Sequence, residues 1–399
     1  MNNCFCPGDI MLPANSEPQK WAVIACDQFT SDKEYWKRVR QYVGDARSTL
    51  HMILPEAELQ QDNSAQVENI NQYMLDRLND DTFTVYPNAY IYVERTLKCG
   101  AVRQGMIGVV DLEQYDYRVE VQAMIRATEK TVLERVPPRV NIRKNAKVEF
   151  SHVLMLCDDK EFSLIEPIGK RNDLQKLYDF DLMEDGGHIA GWLVSGDAAE
   201  SFNKAVAKYE SENIYLVGDG NHSLLAAKTC YENLKKSDPE ADWSSHPARY
   251  AMVELENVHS DAMVFEPIYR IITNTDPKKM LCDLESAGSG NGYPIEWIIG
   301  EEKGQVKIDL QDNELPIGAL QRFLDAWLAD NCGDIDYIHD AKEVIQMAEK
   351  PQAIGFLLTA MDKNDLFPFI AAGNLLSRKA FSLGHGTEKR YYLEGRKIQ

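Results

Sequence analysis

Hydrophobic and polar residues alternate along the first part of the chain with two different periods. The stretch Lys33 to Val43 is polar, with apolar residues spaced near the helical repeat, and this predicts a helix. Two short runs, Ala89 to Val93 and Met106 to Val110, are β-branched or aromatic and bounded by turn residues, so they predict strands. The apolar run Trp21 to Cys26 is typical of another short strand. Together these elements indicate a fold that mixes helices and strands.

The clearest local unit lies in the middle of the chain. A strand-like run at Ile214 to Val217 leads directly into a turn rich in glycine, Gly218 to Ser223. Beyond the turn, a helix is predicted by four apolar residues on one face: Leu224, Ala227, Tyr231 and Leu234. A further strand is predicted at Tyr250 to Val253. This order of strand, turn, helix and strand predicts the fold class, a multi-domain mixed α/β (α+β) protein.

The length of the chain favours several domains. It has 399 residues, whereas single hydrophobic cores stop growing at about 250–300 residues. The strongest concentration of chain breakers, residues 287–294, predicts a joint before the C-terminal part. We therefore expect an N-terminal α/β domain at 1–150, a central domain with the glycine turn at 151–286, and a C-terminal α+β domain at 287–399.

Composition narrows the range of partners. Lysine and arginine number 43 and aspartate and glutamate 63, so the formal net charge is −20, and such a surface repels the phosphate backbone of nucleic acids. No stretch approaches the roughly 18 unbroken apolar residues of a membrane span, and the first residues show no export signal. Eight cysteines are scattered without zinc-ligand spacing. We expect a cytoplasmic protein with reduced thiols and no membrane or nucleic-acid partner.

The glycine turn carries the candidate chemistry. A bend between a strand and a helix N-terminus presents backbone N–H groups and the positive end of the helix dipole, which suit a phosphate or carboxylate group. The residues assigned to phosphate binding are Gly218, Gly220, Asn221 and Ser223, and those assigned to catalysis are Asp219 and His222. A purely structural turn, in which Asp219 or Asn221 tolerates left-handed geometry, is the open alternative.

Two better-known glycine loops differ from this turn. The dinucleotide fingerprint Gly-x-Gly-x-x-Gly ends in glycine where this chain has Ser223, and the next acidic strand end, Glu254, comes too late. A Walker A loop ends in Gly-Lys-Ser or Gly-Lys-Thr, whereas Lys228 lies inside the predicted helix. A Rossmann NAD site is therefore a weak alternative, and the Walker A pattern is absent.

The turn and its flanks, residues 215–228, resemble the signature of a bacterial and archaeal family catalogued as domain of unknown function 1015. The resemblance spans nearly the whole chain and extends to the segments 128–131, 266–270, 336–340, 383–386 and 388–392. The family's usual turn is similar to Asp-Gly-His-His-Arg, which resembles the phosphate-handling turn of the ParB, sulfiredoxin and free-serine kinase superfamily. The resemblance implies a central ParB/sulfiredoxin-like strand–turn–helix unit that binds nucleotide phosphates.

This chain departs from the family's turn at two positions, with Asn221 where the first histidine is usual and Ser223 where an arginine is usual. The missing arginine removes a bidentate phosphate clamp. Two basic stretches can supply cations instead, residues 126–147 with seven cations against two carboxylates and residues 378–397 with six against two. From these stretches and the segment 266–270, the residues assigned to phosphate are Arg139, Arg270, Lys379 and His385. Solvated faces paired to the abundant acids are the open alternative.

Single carboxylates and histidines complete the candidate set. Glu129, in the polar run Thr128 to Thr131, is the leading candidate for a general base or a metal ligand. His339 lies between Asp336 and Asp340 and is a second candidate for an oriented base or a metal ligand. The identity of any metal stays open from the sequence.

Two functions of different classes are consistent with these features. The first is a serine-kinase-like phosphotransferase acting on a small metabolite, with Mg²⁺ and ATP or ADP as cofactors; its link to serine rests on the resemblance alone. The second is a non-enzymatic nucleotide or metabolite sensor of the ParB type. A role in DNA segregation is opposed by the charge and by the absence of a basic recognition helix. The expected partner is a phosphorylated small molecule or nucleotide, and a homo-oligomer is left open.

Overall fold

A computed structural model describes residues 3–29, 32–55, 58, 62–131 and 133–399. The strands are β1 Phe5–Cys6, β2 Gly8–Pro13, β3 Phe83–Thr96, β4 Val102–Asp111, β5 Tyr115–Asp116, β6 Ile125–Ala127, β7 Val148–Phe150, β8 Leu154–Cys157, β9 Gln175–Asp181, β10 His188–Val194, β11 Tyr215–Asp219, β12 Tyr250–Asn257, β13 Phe265–Pro267, β14 Tyr269–Thr273, β15 Tyr293–Ile299, β16 Glu302–Ile308, β17 Asp334–Ile338, β18 Ile354–Leu357, β19 Phe381–Leu383 and β20 Gly395–Lys397. The helices are α1 Pro18–Trp21, α2 Lys33–Val43, α3 Ser64–Asn79, α4 Val136–Arg143, α5 Glu166–Gly169, α6 Gly196–Glu210, α7 Asn221–Ser237, α8 Pro277–Ala287, α9 Pro316–Asp330, α10 Ala341–Ala348 and α11 Leu366–Ala371.

A mixed sheet of thirteen strands organises most of the chain. Its strands follow the order β5-β6-β11-β8-β12-β4-β3-β2-β20-β7, with β1 paired to β4 and β10 paired to both β3 and β9. Strand β11 runs parallel to β6 and antiparallel to β8, and β12 runs parallel to β8 and antiparallel to β4. The combination of this sheet with long helices confirms the mixed α/β class.

The sheet has a hydrophobic core on each face because successive side chains of a strand point to opposite sides. Tyr90 and Tyr92 of β3 pack into the core that includes residues of α6 and α7. Ile91 and Val93, one position along, pack into the core that includes residues of α2 and α3. Helix α7, which begins at the glycine turn, is therefore held against one face of the sheet.

The chain divides into two compact units. Unit one comprises Met1–Met263 and Gly386–Gln399 and contains the large sheet. Unit two, Val264–His385, contains a five-stranded sheet of order β16-β15-β18-β14-β17 and the pair β13-β19. In that pair Phe265 lies opposite Leu383, so the two ends of unit two lie side by side.

These divisions differ from the expected domain boundaries. The position between residues 150 and 151 falls between β7 and β8, which belong to one sheet. The breaker-rich segment 287–294 connects α8 to β15 within unit two. Pairing of β20 with β2 and β7 returns the last residues of the chain to unit one, and no local pattern of breakers signals such a return.

Most of the local elements agree with the sequence pattern. Helix α2 begins after Asp32, whose side chain accepts a hydrogen bond from the backbone N–H of Tyr35. The prediction of a strand at Trp21 to Cys26 is wrong, because Trp21 ends α1 and Val23 makes an isolated bridge to Tyr392. All eight cysteines are free thiols. Among the helices described, none combines the length and apolar character that crossing a bilayer requires.

Candidate functional site

The glycine turn is a tight connection that depends on Gly220. Strand β11 ends at Asp219, and Gly220 adopts a left-handed conformation (φ 87°, ψ 23°) before α7 begins at Asn221. A Cβ atom on Gly220 would lie 2.9 Å from Cγ2 and 3.1 Å from Cα of Val153. Both the backbone angle and the close approach therefore require glycine, and they direct the chain from the sheet edge straight into the helix.

The N-terminus of α7 presents backbone donors at this turn. The first helical hydrogen bond runs from the N–H of Leu224 to the carbonyl oxygen of Gly220, at 3.0 Å. The N–H groups of residues 221–223 precede that bond, and Gly220 provides no side-chain cap. Asn221 is buried, and its Oδ1 atom has no hydrogen-bond partner among the described residues. Helix N–H groups of this kind, together with the helix dipole, attract anions.

The Asp219 carboxylate is fixed from two sides. Its Oδ1 atom accepts a hydrogen bond from the N–H of Gly220 at 2.8 Å, and its Oδ2 atom lies 3.3 Å from Nζ of Lys389. Lys389 belongs to the C-terminal segment 386–399 and is only 8% exposed. A cation from the C-terminal basic stretch therefore lies next to the turn, where the family's usual arginine is missing.

Glu129 emerges at the same edge of the sheet as the turn. Strand β6 runs parallel to β11, with Ala127 opposite Val217, so the carboxyl ends of the two strands meet. The Thr128 hydroxyl donates to the carbonyl oxygen of Val217 at 2.7 Å and extends this contact beyond the ladder. Glu129 follows directly and is half-buried. His222 is likewise half-buried in the first turn of α7.

A hydrogen-bonded chain of three side chains adjoins the turn. Oγ of Ser223 lies 3.3 Å from Nε2 of His152, and Nδ1 of the same ring lies 2.8 Å from the hydroxyl oxygen of Tyr392. His152 and Tyr392, which lie 240 positions apart, were not predicted from the sequence. The available signals were the position of His152 just before the apolar run that forms β8 and the aromatic pair at the end of the basic segment 388–392.

Ser223, His152 and Tyr392 line a cavity of about 230 Å³ in unit one. Arg139 of α4 also lines this cavity, so the structure brings it together with Ser223. Most of the other lining side chains are apolar, including Trp36, Met52, Ile142 and Met252. The cavity thus offers an apolar body and a few polar groups, as small-molecule sites do.

Glu149 brings a carboxylate to the wall of this cavity, but its charge is compensated. Arg143 and Arg396 contact its two oxygens at 2.6 and 2.7 Å. Burial acts to raise the pKa of Glu149, but the two guanidinium groups and the N–H of Met252 outweigh burial and the pKa is lowered. Arg139 and His152 therefore face a cavity without an uncompensated negative charge from Glu149.

The remaining predicted site residues belong to unit two. Arg270 is fully buried, and its guanidinium group donates to the carbonyl oxygens of Ile268, Lys379 and Arg378 at 2.6, 2.9 and 3.1 Å. The backbone of Lys379 adopts a left-handed conformation (φ 55°). His385 is the last residue of unit two. The donors of Arg270 are thus committed to protein carbonyl groups, and its assignment to a ligand stays a prediction.

His339 also belongs to unit two, directly after β17, and its metal role stays a prediction. Within the described ranges, no group of three or more His, Cys, Asp or Glu side chains is arranged to hold a metal ion. Mg²⁺ is usually bound by one or two carboxylates together with substrate phosphates.

The fold and the site define a class of protein, a mixed α/β protein built around a strand–turn–helix unit whose glycine turn opens a helix N-terminus. A family model described as "Protein of unknown function (DUF1015)" matches residues 11–363. The chain belongs to this family, as the sequence signature indicated. A search of curated proteins finds no significant match.

Several solved structures are similar to the chain at low identity. Free serine kinase in complex with AMP is 11% identical, with 73% of this chain and 92% of that chain covered and a TM-score of 0.40. A conserved hypothetical protein from Pyrococcus furiosus is 11% identical, with coverage of 73% and 95% and a TM-score of 0.36. C-terminally truncated SbnI from Staphylococcus aureus is 10% identical, with coverage of 69% and 81% and a TM-score of 0.36. Likenesses of this strength assign no ligand to this chain.

Proposed function

We propose that this protein binds a phosphate group of a nucleotide or phosphorylated metabolite at residues 218–223 and transfers a phosphoryl group between that ligand and a small metabolite. One observation carries the proposal: the first turn of α7 presents its backbone N–H groups beside Asp219, which holds the buried Lys389 ammonium group at 3.3 Å. Backbone donors, a helix dipole and a cation at one point are the elements that stabilise a transferring phosphoryl group.

Residues at and near the turn have distinct parts in this proposal, and His222, in the first turn of α7, donates a hydrogen bond to the phosphate group. Gly220 allows phosphate oxygens to approach the backbone, and Lys389 supplies the charge that an arginine supplies in the family's usual turn. Asp219 orients Lys389 and would provide a carboxylate oxygen for Mg²⁺ on the nucleotide. Glu129 deprotonates the acceptor hydroxyl. Arg270, Lys379 and His385 of unit two take no part in the proposed site.

Ligand-dependent thermal unfolding tests the binding step. ATP, ADP, CTP, serine and phosphoserine are each added with and without Mg²⁺, and a ligand at about a hundred times its Kd adds roughly 2.7 kcal/mol to the stability. We expect a nucleotide to raise the midpoint by a few degrees. The effect should be much smaller in Lys389→Met and His222→Ala, because loss of a charge-assisted contact costs roughly 1.5–3 kcal/mol.

Two further variants separate binding from catalysis. Asp219→Asn keeps the backbone donors and should retain nucleotide binding while turnover falls, because the metal and Lys389 lose their carboxylate. Asp238→Asn changes the same residue type just beyond the other end of α7 and serves as the matched control. Equal nucleotide shifts in the wild type, Lys389→Met and His222→Ala would refute the proposed site.

A non-enzymatic sensor is the second candidate, and the Asp219–Lys389 ion pair favours it. That contact connects the turn to the segment 386–399, so a phosphate group at the turn competes with Asp219 for Lys389. A sensor should bind nucleotide, form no product with any pair of substrates, and change the protease sensitivity of the segment 386–399. A phosphotransferase should release a phosphorylated product that is measurable by phosphorus NMR.

A further inference from the structure

The side chain of Ser223 lies between the proposed phosphate site and the imidazole ring of His152. Ser223 is the third residue of α7, and a side chain at that position reaches back to the N–H groups of the first helical turn. A phosphate group held by those N–H groups is therefore next to the Ser223 hydroxyl. At the same time, Oγ of Ser223 lies 3.3 Å from Nε2 of His152.

His152 is oriented from its other nitrogen. The Tyr392 hydroxyl lies 2.8 Å from Nδ1, and the two rings are 5.3 Å apart. When Nδ1–H donates to the oxygen of Tyr392, Nε2 carries the lone pair that accepts the Ser223 proton. A hydroxyl with a base in reach, and a base oriented by a third group, is the arrangement of an activated nucleophile.

We infer that Ser223 is a nucleophile that carries the phosphoryl group during transfer, with His152 as its base and Tyr392 as a positioning residue. This inference rests on the proposed function and deepens it. It specifies a donor with a phosphoanhydride bond, such as a nucleoside di- or triphosphate, and a covalent phosphoserine intermediate. Ser223 and His152 line a cavity whose other side chains are mostly apolar.

The proposed reaction has two half-steps. In the first, the bond between Ser223 Oγ and phosphorus forms, the phosphoanhydride P–O bond breaks, and its electron pair leaves on the departing phosphate. The Ser223 proton passes to Nε2 of His152, and the departing phosphate leaves as the anion. In the second half-step, Glu129 takes the proton of an acceptor hydroxyl while the acceptor oxygen displaces Ser223, and Ser223 recovers its proton from the His152 ring. Glu129 then releases its proton to solvent.

Trapping of the phosphoserine is the direct test. The full-length protein is mixed with Mg²⁺ and with ATP or ADP labelled in the terminal phosphate, quenched in acid, digested and mapped by mass spectrometry. We expect acid-stable label on the peptide that contains Ser223 and none in Ser223→Ala. His152→Asn should slow labelling by about a hundredfold or more, which is the usual contribution of a general base.

Control variants separate chemistry from structure. Ser237→Ala removes an exposed serine from the other end of α7 and should label like the wild type. Tyr392→Phe keeps the ring against His152 and should leave nucleotide binding unchanged. The pH–rate profile of labelling should move to lower pH in Tyr392→Phe, because the imidazolium loses the hydroxyl oxygen that accepts from its Nδ1–H. A merely structural role for Tyr392 would lower the amount of folded protein without moving this profile.

The outcomes distinguish this inference from the proposed function. A nucleotide shift in thermal unfolding without any phosphoserine at Ser223 would overturn the covalent step and leave direct transfer standing. Absence of a shift with every nucleotide would overturn both. If Ser223→Ala does not fold, the peptide map of the wild type still decides, since it reports directly whether Ser223 carries the label.

Discussion

Both compact units bury arginines, and Arg390 in unit one and Arg270 in unit two are held in different ways. Arg390 in unit one donates to the carboxylates of Glu254 and Glu394 at 2.8 and 2.9 Å. Among the described residues, Arg270 in unit two donates to no carboxylate. Its acceptors are backbone carbonyl oxygens and, at 3.2 Å, the side-chain oxygen of Gln321. Its guanidinium group lies over the ring of Tyr337. Arg390 is thus buried with its counter-charges, whereas Arg270 is surrounded by neutral acceptors, as is Arg95 in unit one, which donates to the carbonyl oxygens of Gly186 and Lys389.

The difference appears in the pKa values of the two guanidinium groups. Burial lowers the pKa of Arg270 to about 10, because carbonyl dipoles replace water without supplying a negative charge. Burial acts in the same direction on Arg390, but Glu394 and Glu254 outweigh it and the pKa is raised. Ion pairs from distant strands therefore fix the segment 386–399, which brings Lys389 and Tyr392 to the candidate site.

The largest loss of stability is expected when Arg390 is replaced. Arg390→Met would leave Glu254 and Glu394 as buried carboxylates without their cation, and removal of one partner from a buried ion pair costs about 3–5 kcal/mol. We expect this loss in the free energy of unfolding, measured by urea denaturation at neutral pH. The loss should shrink as the pH falls, because protonation removes the two stranded charges.

An exposed ion pair provides the control for Arg390. Arg38 contacts Glu184 at 2.8 Å on the surface of the same unit, and Arg38→Met should change the stability little at any pH. An equal loss in Arg390→Met at low and neutral pH would mean that packing of the side chain, rather than charge compensation, holds the segment.

Glu256 is a buried carboxyl group of unit one whose charge is only partly compensated. Burial, together with nearby Glu254, raises the pKa of Glu256 to about 8 despite its contact with Arg103 at 2.9 Å. A carboxyl group with a raised pKa binds more protons in the folded than in the unfolded state, so stability falls as the pH rises between about 4.5 and 8. The loss should reach up to a few kcal/mol over this window.

Glu256→Gln removes this titration and should flatten the dependence. Urea midpoints at several pH values measure the effect, and the wild type and the variant should differ in slope. Parallel pH profiles of stability for the two proteins would show that Glu256 is ionised over the whole range. The Arg103 guanidinium group would then compensate the Glu256 charge fully.

Replacement of Arg270 should lower the stability in a way that depends little on pH, unlike replacement of Arg390. Arg270→Met leaves buried carbonyl groups unpaired, and an unsatisfied buried polar group costs roughly 1–3 kcal/mol. Because no carboxylate is stranded, the loss should be nearly constant between about pH 4 and pH 8. The loss is measured in the same denaturation series as that of Arg390→Met, and a loss that varies as strongly with pH would contradict the distinction between the two arginines.

The smallest effect is expected at the surface of the large sheet. His188 lies 2.7 Å from both Asp181 and Asp179, and the hydrogen bond to Asp181 raises its pKa although partial burial opposes this. A base with a raised pKa stabilises the fold below about pH 6.5 and loses that contribution as the pH rises through its folded pKa. Its side chain is 42% exposed, so the contribution should be at most about 1 kcal/mol.

NMR titration of His188 measures the raised pKa directly. His188→Gln should remove only the small increment of stability below neutral pH, and the wild type and the variant should coincide above it. A greater effect of His188→Gln at alkaline pH would contradict the sign derived from these contacts.

The sequence predicted the parts of the fold whose signals are local. Helix α2 and the unit of β11, turn and α7 follow from periodicity and glycine placement, because neighbouring residues alone determine them. The C-terminal basic stretch also predicted a cation for the turn, and Lys389 lies there. The functional role of Glu129 stays a prediction, and its position directly after β6 follows from the parallel pairing of β6 with β11.

The parts that were missed depend on contacts between distant residues. His152 meets Tyr392 only because unit two is inserted between Met263 and Gly386 and the chain then returns to unit one. The breaker-rich segment 287–294 connects α8 to β15 inside unit two, because breakers mark local turns and not the limits of compact units. The run from Trp21 to Cys26 was apolar because it is buried, and not because it joins a ladder.

The insertion of unit two also determines the order in which the ribosome makes the parts of the candidate site. A ribosome completes residues 264–385 before it makes the segment that supplies Lys389, Arg390 and Tyr392. Unit two can therefore fold on the nascent chain while Glu254 still lacks its cation and His152 its hydroxyl partner. The candidate site is assembled only after translation has passed unit two and reached the segment 386–399, so the site stays inactive while unit two is being made.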